Sequence, residues 1–184
     1  WTPLLIALRF NENVAVINKL LELDPDITVV TNYKVGLLEA VSYNSNIQIL
    51  DLVLNKIGNN KINLGKVDGG FRPIHIACTD NSNPEILIRL QENGADISLT
   101  STDGETILHC AAKNKNVDIV KTVVEKLSFE DIFKKDDNGA TALFYAAAEN
   151  NYDVFEYLLK LGLSPYDTNR DGRRAIDFVD TAYK

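Results

Sequence analysis

The sequence is poor in the residues that build covalent or metal-based frameworks, since its 184 residues include only two cysteines and two histidines. Cys78 and Cys110 lie far apart and belong to no Cys-x-x-Cys pair. Two thiols cannot build the disulfide framework of a small secreted domain, and a zinc site needs more ligands at closer spacing. We therefore expect a reducing, intracellular location, with the cytoplasm as first choice and the nucleus as the alternative.

Long hydrophobic runs and an excess of positive charge are also lacking. Apolar stretches such as residues 47–54 are interrupted by polar residues and fall well short of the ~20 residues that span a bilayer. Lysine and arginine number 19 against 26 acidic residues, which gives a net charge of −7. This sign disfavours binding to phosphates. We expect neither direct membrane insertion nor a nucleic-acid partner.

A six-residue apolar string that begins at Thr2 returns along the chain. Its copies occupy residues 2–7, 35–40, 72–77, 106–111 and 141–146, with a degraded copy at 174–179. The aliphatic residue in its third place recurs at intervals of 33, 37, 34, 35 and 33 residues, which predicts a repeat architecture. We expect all of these aliphatic residues to be buried: Leu4, Leu37, Ile74, Leu108, Leu143 and Ile176.

Each repeat also carries the pattern of a helix pair. A glycine stands two residues before the string at positions 70, 104, 139 and 172. After the string, apolar residues follow at i, i+3 and i+4 spacing, as in Val14, Ile17 and Leu21. Such a pair is too short to bury its own apolar stripe, so it should be stable only when stacked on its neighbours.

The period, the string and the leading glycine together resemble the ankyrin repeat. The resemblance implies an all-α ankyrin-repeat solenoid, in which helix-turn-helix units are joined by β-hairpin-like fingers. It implies a single domain over residues 1–184. The expected units are 1–30, 31–66, 67–100, 101–135 and 136–168, followed by a terminal capping half-unit at 169–184. Because no finger precedes the first string, we expect a monomeric segment of a longer chain.

Three local features follow from this frame. Asparagine lies four residues after the string's last alanine at positions 11, 44, 81 and 150, and asparagine tolerates the left-handed conformation that ends a helix. Ser128-Phe129-Glu130-Asp131 resembles a capping box and predicts an extra helical turn. The long second interval predicts a glycine- and asparagine-rich loop near residues 56–61.

No pattern in the sequence predicts catalysis or metal binding. His75 and His109 both lie within copies of the string, so we expect structural histidines that hydrogen-bond to nearby backbone, and the two cysteines are expected in the core. Residues 167–172 open like a calcium-binding loop, but Phe178 stands where the bidentate glutamate is required. We predict no catalytic residue, no metal site, no cofactor and no enzyme activity.

The leading functional expectation is a protein–protein interaction scaffold that binds a protein or peptide. Stacked repeats offer a long concave surface, and the ankyrin resemblance places binding on the finger tips and the exposed ends of the inner helices. The binding residues expected there are Trp1, Phe10, Tyr43, Phe71, Asp103, Glu105, Lys113 and Glu149. We expect the four aromatic residues to share one exposed face, because large rings are common binding hot spots.

Two other functions stay open. The segment would be a regulatory arm if the full-length protein carried an enzyme or a channel outside these residues. A catalytic motif or apolar spans of ~20 residues elsewhere in that protein would favour this alternative. The segment would itself be an enzyme only if it held a buried nucleophile or base, and the sequence offers none.

Overall fold

The computed structural model describes residues 1–58, 63 and 67–179. The chain divides into two compact units, an N-terminal unit of residues 1–97 and a C-terminal unit of residues 98–184. In both units, each copy of the repeated string begins an inner helix or a helical turn. An outer helix then follows in every repeat except the last described one.

The described part of the N-terminal unit contains three helix pairs and a short 3-10 helix (Asp68–Gly70). Its inner helices are α1 (Pro3–Phe10), α3 (Leu37–Val41) and α5 (Pro73–Asp80). Its outer helices are α2 (Val14–Glu22), α4 (Ile47–Ile57) and α6 (Pro84–Glu92). Inner helices contact inner helices and outer helices contact outer helices, so each pair covers the apolar stripe of the next.

The C-terminal unit contains two helix pairs and two shorter helical turns. The pairs are α7 (Ile107–Ala112) with α8 (Val117–Val124), and α10 (Ala142–Ala148) with α11 (Tyr152–Lys160). The single turn α9 (Phe129–Ile132) lies between them in sequence, and a 3-10 helix (Ala175–Phe178) follows α11. At the start of α9 the Ser128 hydroxyl accepts from the Asp131 amide at 3.2 Å, and the Asp131 carboxylate accepts from the Ser128 amide at 3.3 Å. The predicted capping box and extra turn are confirmed.

Helices dominate the residues that the structure describes. In that part of the chain the only β-type pairing outside helices is an isolated bridge between Thr168 and Arg174. None of the described helices is long and apolar enough to cross a membrane, and α4, with 11 residues, is the longest of them. The predicted all-helical repeat architecture is confirmed.

Five of the six aliphatic residues predicted for the core are at most 5% exposed. The exception is Ile176, which is half-buried, so the prediction is wrong at that residue. Ile176 lies in the 3-10 helix that packs on α10, and no later helix covers its other side within the described residues.

The two histidines have the structural role that the sequence predicts. His75 Nδ1 accepts from the Arg72 amide at 3.2 Å, and His109 Nδ1 accepts from the Thr106 amide at 3.0 Å. His109 Nε2 lies 3.0 Å from the carbonyl oxygen of Ala140, so Nε2 carries the hydrogen and donates. Burial lowers the pKa of His109, which keeps this imidazole neutral.

The second repeat is offset by one residue from the predicted alignment. Gly36 is the N-cap of α3, and its amide donates to Glu39 Oε2 at 3.0 Å, as the corresponding amide donates to His75 in the third repeat. Leu38 rather than Leu37 therefore takes the third place of the string. Both leucines are buried and apolar, so the pattern alone does not separate the two registers.

The fingers are five-residue turns closed by two backbone hydrogen bonds. In finger 101–105 the Ser101 amide donates to the Glu105 carbonyl at 3.0 Å, and the Gly104 amide donates to the Ser101 carbonyl at 3.2 Å. The same two bonds close fingers 31–35, 67–71, 136–140 and 169–173. The fourth residue of each finger is left-handed: the predicted glycines have φ between 73° and 77°, and Lys34 takes their place with φ 61°.

Asparagine side chains join consecutive helix pairs in the N-terminal unit. Asn44 Nδ2 donates to the carbonyl oxygens of Leu8 at 2.9 Å and Asn11 at 3.0 Å. Asn81 Nδ2 donates to the carbonyl oxygens of Ser42 and Asn44, both at 2.9 Å. We call Asn11, Asn44 and Asn81 the asparagine ladder.

The predicted left-handed conformation of these turns is wrong at most of them. Asn150 has φ 52°, but Asn11 and Asn81 have φ −108° and −88°. At Asn44 and Asn81 the side chain stabilises the turn instead. Its amide group donates to backbone carbonyls of the preceding helix pair, and its Oδ1 accepts from the backbone amide two residues further along the chain. Asn81 Oδ1 thus accepts from the Asn83 amide at 2.9 Å.

Two predicted segments are described only in part. The loop predicted at residues 56–61 overlaps α4, which runs to Ile57 and ends at Gly58 with φ 73°. Its remaining residues lie outside the described part of the chain. The capping half-unit predicted at 169–184 begins with a finger and the 3-10 helix, and its residues 180–184 are likewise outside the description.

The first helix pair exposes apolar residues that later pairs bury. Val16 is 39% exposed, whereas Ile49 and Ile86, at the same position of α4 and α6, are 0% exposed. Ile6 is 47% exposed, and Ile76 at the same position of α5 is 4% exposed. In the later pairs a preceding helix covers these positions, and α1 and α2 are the first helices of the structure.

Candidate binding surface

The predicted binding residues differ in exposure. Trp1, Phe10, Asp103 and Glu149 are exposed, and Tyr43, Phe71 and Lys113 are half-buried. Glu105 is 8% exposed, so its expected place on an open surface is wrong. Three of the predicted aromatic residues cluster in the N-terminal unit, and Glu105 and Lys113 cluster in the C-terminal unit.

The cluster in the N-terminal unit gathers around Arg9, in the last turn of α1. The Arg9 guanidinium carbon lies 3.8 Å from the centroid of the Tyr43 ring, 5.2 Å from that of Phe10 and 5.6 Å from that of Trp1. We call these four residues the Arg9 cluster. It brings three of the four predicted aromatic residues together on one cation.

Local structure explains where the Arg9 cluster lies. The Thr2 hydroxyl accepts from the Leu5 amide at 3.3 Å and starts α1 directly after Trp1. Leu5 and Leu8 turn to the core and Phe10 falls on the opposite side of the helix, while Arg9 is half-buried at the edge between the two sides. Each cation–ring contact at an exposed site contributes about 0.5–1 kcal/mol, so the three contacts together are comparable with the ~2 kcal/mol of rotamer entropy that an arginine side chain carries.

Tyr43 belongs to this cluster through its ring face. Burial raises the pKa of its hydroxyl, the positive charge of Arg9 lowers it, and the negative charge of Asp80 raises it. The hydroxyl is therefore neutral at physiological pH and can act as a hydrogen-bond donor to a partner.

Phe71 packs on its own finger. Its ring meets the His75 ring edge-on at a centroid distance of 6.1 Å. It also lies over Gly69, where a Cβ atom would be 3.1 Å from Phe71 Cε2. Phe71 is thus part of the finger's structure as well as half-exposed, which distinguishes it from Phe10.

The cluster in the C-terminal unit is a buried polar network around Glu105. Lys113 Nζ lies 2.7 Å from Glu105 Oε2, and the Tyr145 hydroxyl lies 3.1 Å from Glu105 Oε1. The same hydroxyl lies 2.6 Å from Asp136 Oδ2, and Lys113 Nζ is 4.7 Å from the Tyr145 ring centroid. Glu105 can be buried because Lys113 and Tyr145 replace water as the hydrogen-bond partners of its carboxylate.

The hydroxyl of Tyr145 has one proton for two carboxylates. Burial, followed by the hydrogen bond to Asp136, raises its pKa, so the phenol stays protonated. Asp136 Oδ1 also accepts from the amides of Asn138 at 2.9 Å and Ala140 at 2.8 Å. The network fixes the finger 136–140 against α10.

A groove of about 290 Å³ opens beside this network. Its lining includes Asp136, Phe144, Tyr145, Asp171 and Phe178, together with small and amide residues. Asp103 and Glu149 add exposed carboxylates to the same unit. The groove presents the exposed carboxylate of Asp171 beside aromatic rings, a combination suited to basic side chains.

Sequence reasoning missed Arg9, Tyr145 and Asp136. A single arginine at a helix end is ordinary. Only the repeat frame, which predicts that Phe10 and Tyr43 end adjacent inner helices, could have pointed to Arg9 beside them. Within the described ranges no group of three or more histidine, cysteine, aspartate or glutamate side chains is arranged to hold a metal ion.

These features define a helical repeat protein: helix pairs stack on one another, and left-handed finger tips connect them. A family model described as "Ankyrin repeats (3 copies)" matches residues 37–126 and 74–169. The chain belongs to the ankyrin-repeat family, and its fold is an all-α ankyrin-repeat solenoid. Ankyrin repeats generally mediate protein–protein interaction.

Known proteins resemble parts of the chain. It is 30% identical over 105 residues to human "Transient receptor potential cation channel subfamily A member 1" and 35% identical over 81 residues to human "Protein phosphatase 1 regulatory subunit 27". These matches cover 57% and 44% of this chain, but only 9% and 51% of those proteins. The chain therefore corresponds to a part of each relative.

A solved structure matches the whole fold. The complex of the "Bd0816 Predatory Endopeptidase from Bdellovibrio bacteriovorus" with "immunity protein Bd3460" contains a chain that superimposes with a TM-score of 0.74. The superposition covers 100% of this chain and 93% of that chain, at 23% sequence identity. At this identity the match shows the fold alone.

Proposed function

We propose that this chain is a non-catalytic scaffold that binds a protein or peptide on its finger tips and inner-helix ends. The observation that carries the proposal is the Arg9 cluster, in which Phe10 and Trp1 remain 71% and 52% exposed although rings of this size are usually at least half-buried. Aromatic rings and arginine are the residues most enriched in binding hot spots. The cluster therefore has the composition of an interface centre.

The proposal is tested by capturing partners from a cell lysate with the native chain and with a Phe10→Ala/Tyr43→Ala variant. Loss of two hot-spot rings should weaken capture by about thirtyfold, equivalent to about 2 kcal/mol. A Phe129→Ala/Tyr166→Ala variant is the matched control, because both rings are exposed, at 75% and 68%, and lie outside the proposed surface. Equal capture by both variants would contradict the proposed surface.

We propose a separate binding surface in the C-terminal unit, while Phe71 adds to the surface of the N-terminal unit. Asp103, Glu149, Lys113 and the half-exposed ring of Phe71 stand on fingers or at the ends of inner helices. The groove beside Tyr145 supports a role in holding basic side chains of the partner. We propose a cytoplasmic partner, in line with two buried free thiols.

A second candidate function is that of a regulatory arm within a larger protein. It is favoured by the match to a cation channel, of which the similar stretch is only 9%, and by the match to a phosphatase regulatory subunit. Sequencing the full-length transcript tests it. A channel or catalytic domain in the same chain would support the arm, and a full-length product made of repeats alone would exclude it.

A further inference from the structure

Aromatic rings surround Arg9, and its guanidinium has no counter-ion among the described residues. In residues 1–58, 63 and 67–179, no carboxylate lies within 4.0 Å of its guanidinium, and its side chain makes no hydrogen bond. Two other arginines have carboxylate partners, since Arg89 pairs with Asp51 and Arg174 pairs with Asp177. The contacts of Arg9 with Tyr43 and Phe10 are to ring faces.

Ring contacts leave the donors of arginine available. A guanidinium carries five N–H groups in its own plane, and a ring against its face uses none of them. The same contacts hold the group in place, so less side-chain entropy is lost when a ligand binds. The Arg9 guanidinium is thus held in position with its N–H donors available to a ligand.

A partner that covers the Arg9 cluster must balance this charge. Burying a cation without a counter-charge costs several kcal/mol, which would cancel the gain from covering Phe10 and Trp1. A carboxylate matches the guanidinium fork with two parallel hydrogen bonds.

We propose that Arg9 docks an aspartate or glutamate side chain of the partner, while Phe10 and Trp1 contact an apolar side chain beside it. This inference rests on the proposed function and deepens it by naming the partner's chemistry. The occupant is an exposed acidic segment of a protein that carries an apolar residue next to its carboxylate.

The test is selection of peptides from a random displayed library on the immobilised chain, with counter-selection on the Phe10→Ala/Tyr43→Ala variant. Selected peptides should share an aspartate or glutamate next to an apolar residue. Arg9→Gln should weaken binding of those peptides by about tenfold or more, and Arg9→Lys should retain part of it, because lysine keeps the charge but not the fork. Replacing the peptide's acid by its amide should cause the same loss in the native chain and none in Arg9→Gln.

Two controls separate local from general electrostatic effects. Lys160→Gln removes an exposed positive charge that is paired with Glu156 in the C-terminal unit, and it should leave the affinity unchanged. Asp80→Asn should leave it unchanged or raise it. Circular dichroism and melting temperatures should show that Arg9→Gln folds as the native chain does.

The outcomes distinguish the two levels of the proposal. If the native chain selects no peptide beyond those that the double variant also binds, the proposed surface is wrong. If it selects peptides without a shared acid, or if Arg9→Gln binds the acidic peptides as well as the native chain, the surface stands and the inference about Arg9 is overturned.

Discussion

Replacing Asn81 by alanine would break the asparagine ladder within the N-terminal unit. Asn81 is 1% exposed, and its side chain makes at least three hydrogen bonds, two to the carbonyl oxygens of Ser42 and Asn44 and one from the Asn83 amide. A buried hydrogen bond contributes about 1 kcal/mol, and acceptors left without their donor add a desolvation cost. We expect Asn81→Ala to lower the free energy of unfolding by about 3 kcal/mol.

The assay is equilibrium urea unfolding followed by far-ultraviolet circular dichroism. Asn18→Ala is the control, because Asn18 is exposed on α2 and makes one bond of 3.3 Å to Glu22. It should change the free energy of unfolding by less than about 0.5 kcal/mol. If the two variants differ by less than about 1 kcal/mol, the ladder does not stabilise the fold as argued.

Asn81→Asp tests the direction of the ladder bonds. The carboxylate keeps the shape and the acceptor but cannot donate to the carbonyls of Ser42 and Asn44. It should therefore lose at least as much stability as Asn81→Ala at pH 7 and recover part of it in acid, when one oxygen carries a proton. A variant as stable as the native chain at pH 7 would contradict the assigned donor.

Three further predictions concern burial, packing and calcium. Burial raises the pKa of Glu39 above its ordinary 4.5, so the native chain loses stability as pH rises and this carboxyl group ionises. Glu39→Gln should therefore be more stable than the native chain at pH 7 and equally stable near pH 4. Equal stability at pH 7 would refute this. Ile49→Ala should cost about 3 kcal/mol in urea unfolding, whereas Val16→Ala should cost under about 1, and equal costs would refute the difference in covering. Millimolar calcium should not shift the melting temperature, and a rise abolished by Asp171→Ala would show a calcium site.

The repeat frame was predictable because it depends on local rules. A left-handed finger tip needs glycine, a helix start needs a cap, and an apolar stripe needs a neighbour, so each leaves a periodic trace. The offset in the second repeat escaped prediction because Leu37 and Leu38 are equivalent in hydrophobicity. The left-handed conformation of Lys34 could not be predicted either, because a lysine in the place of the finger glycine does not indicate a positive φ.

The binding surface was only partly predictable because its charges are set by contacts between repeats. Glu105 looked like an exposed finger residue, but Lys113 and Tyr145 enclose its carboxylate. Arg9 looked ordinary, but Tyr43 lies 3.8 Å from its guanidinium carbon and gives it a fixed position. Pairings across such sequence distances follow from stacking geometry, which one repeat does not encode.

The most direct test of the proposed surface is hydrogen exchange of the chain with and without its captured partner. The account predicts slower exchange at the C-terminal end of α1, at α3 and in the fingers that precede α3 and α5, with little change in the outer helices α2 and α4. It predicts that Phe10→Ala/Tyr43→Ala loses this protection while remaining folded. Protection confined to the outer helices, or unchanged in the double variant, would contradict a binding surface built on the Arg9 cluster.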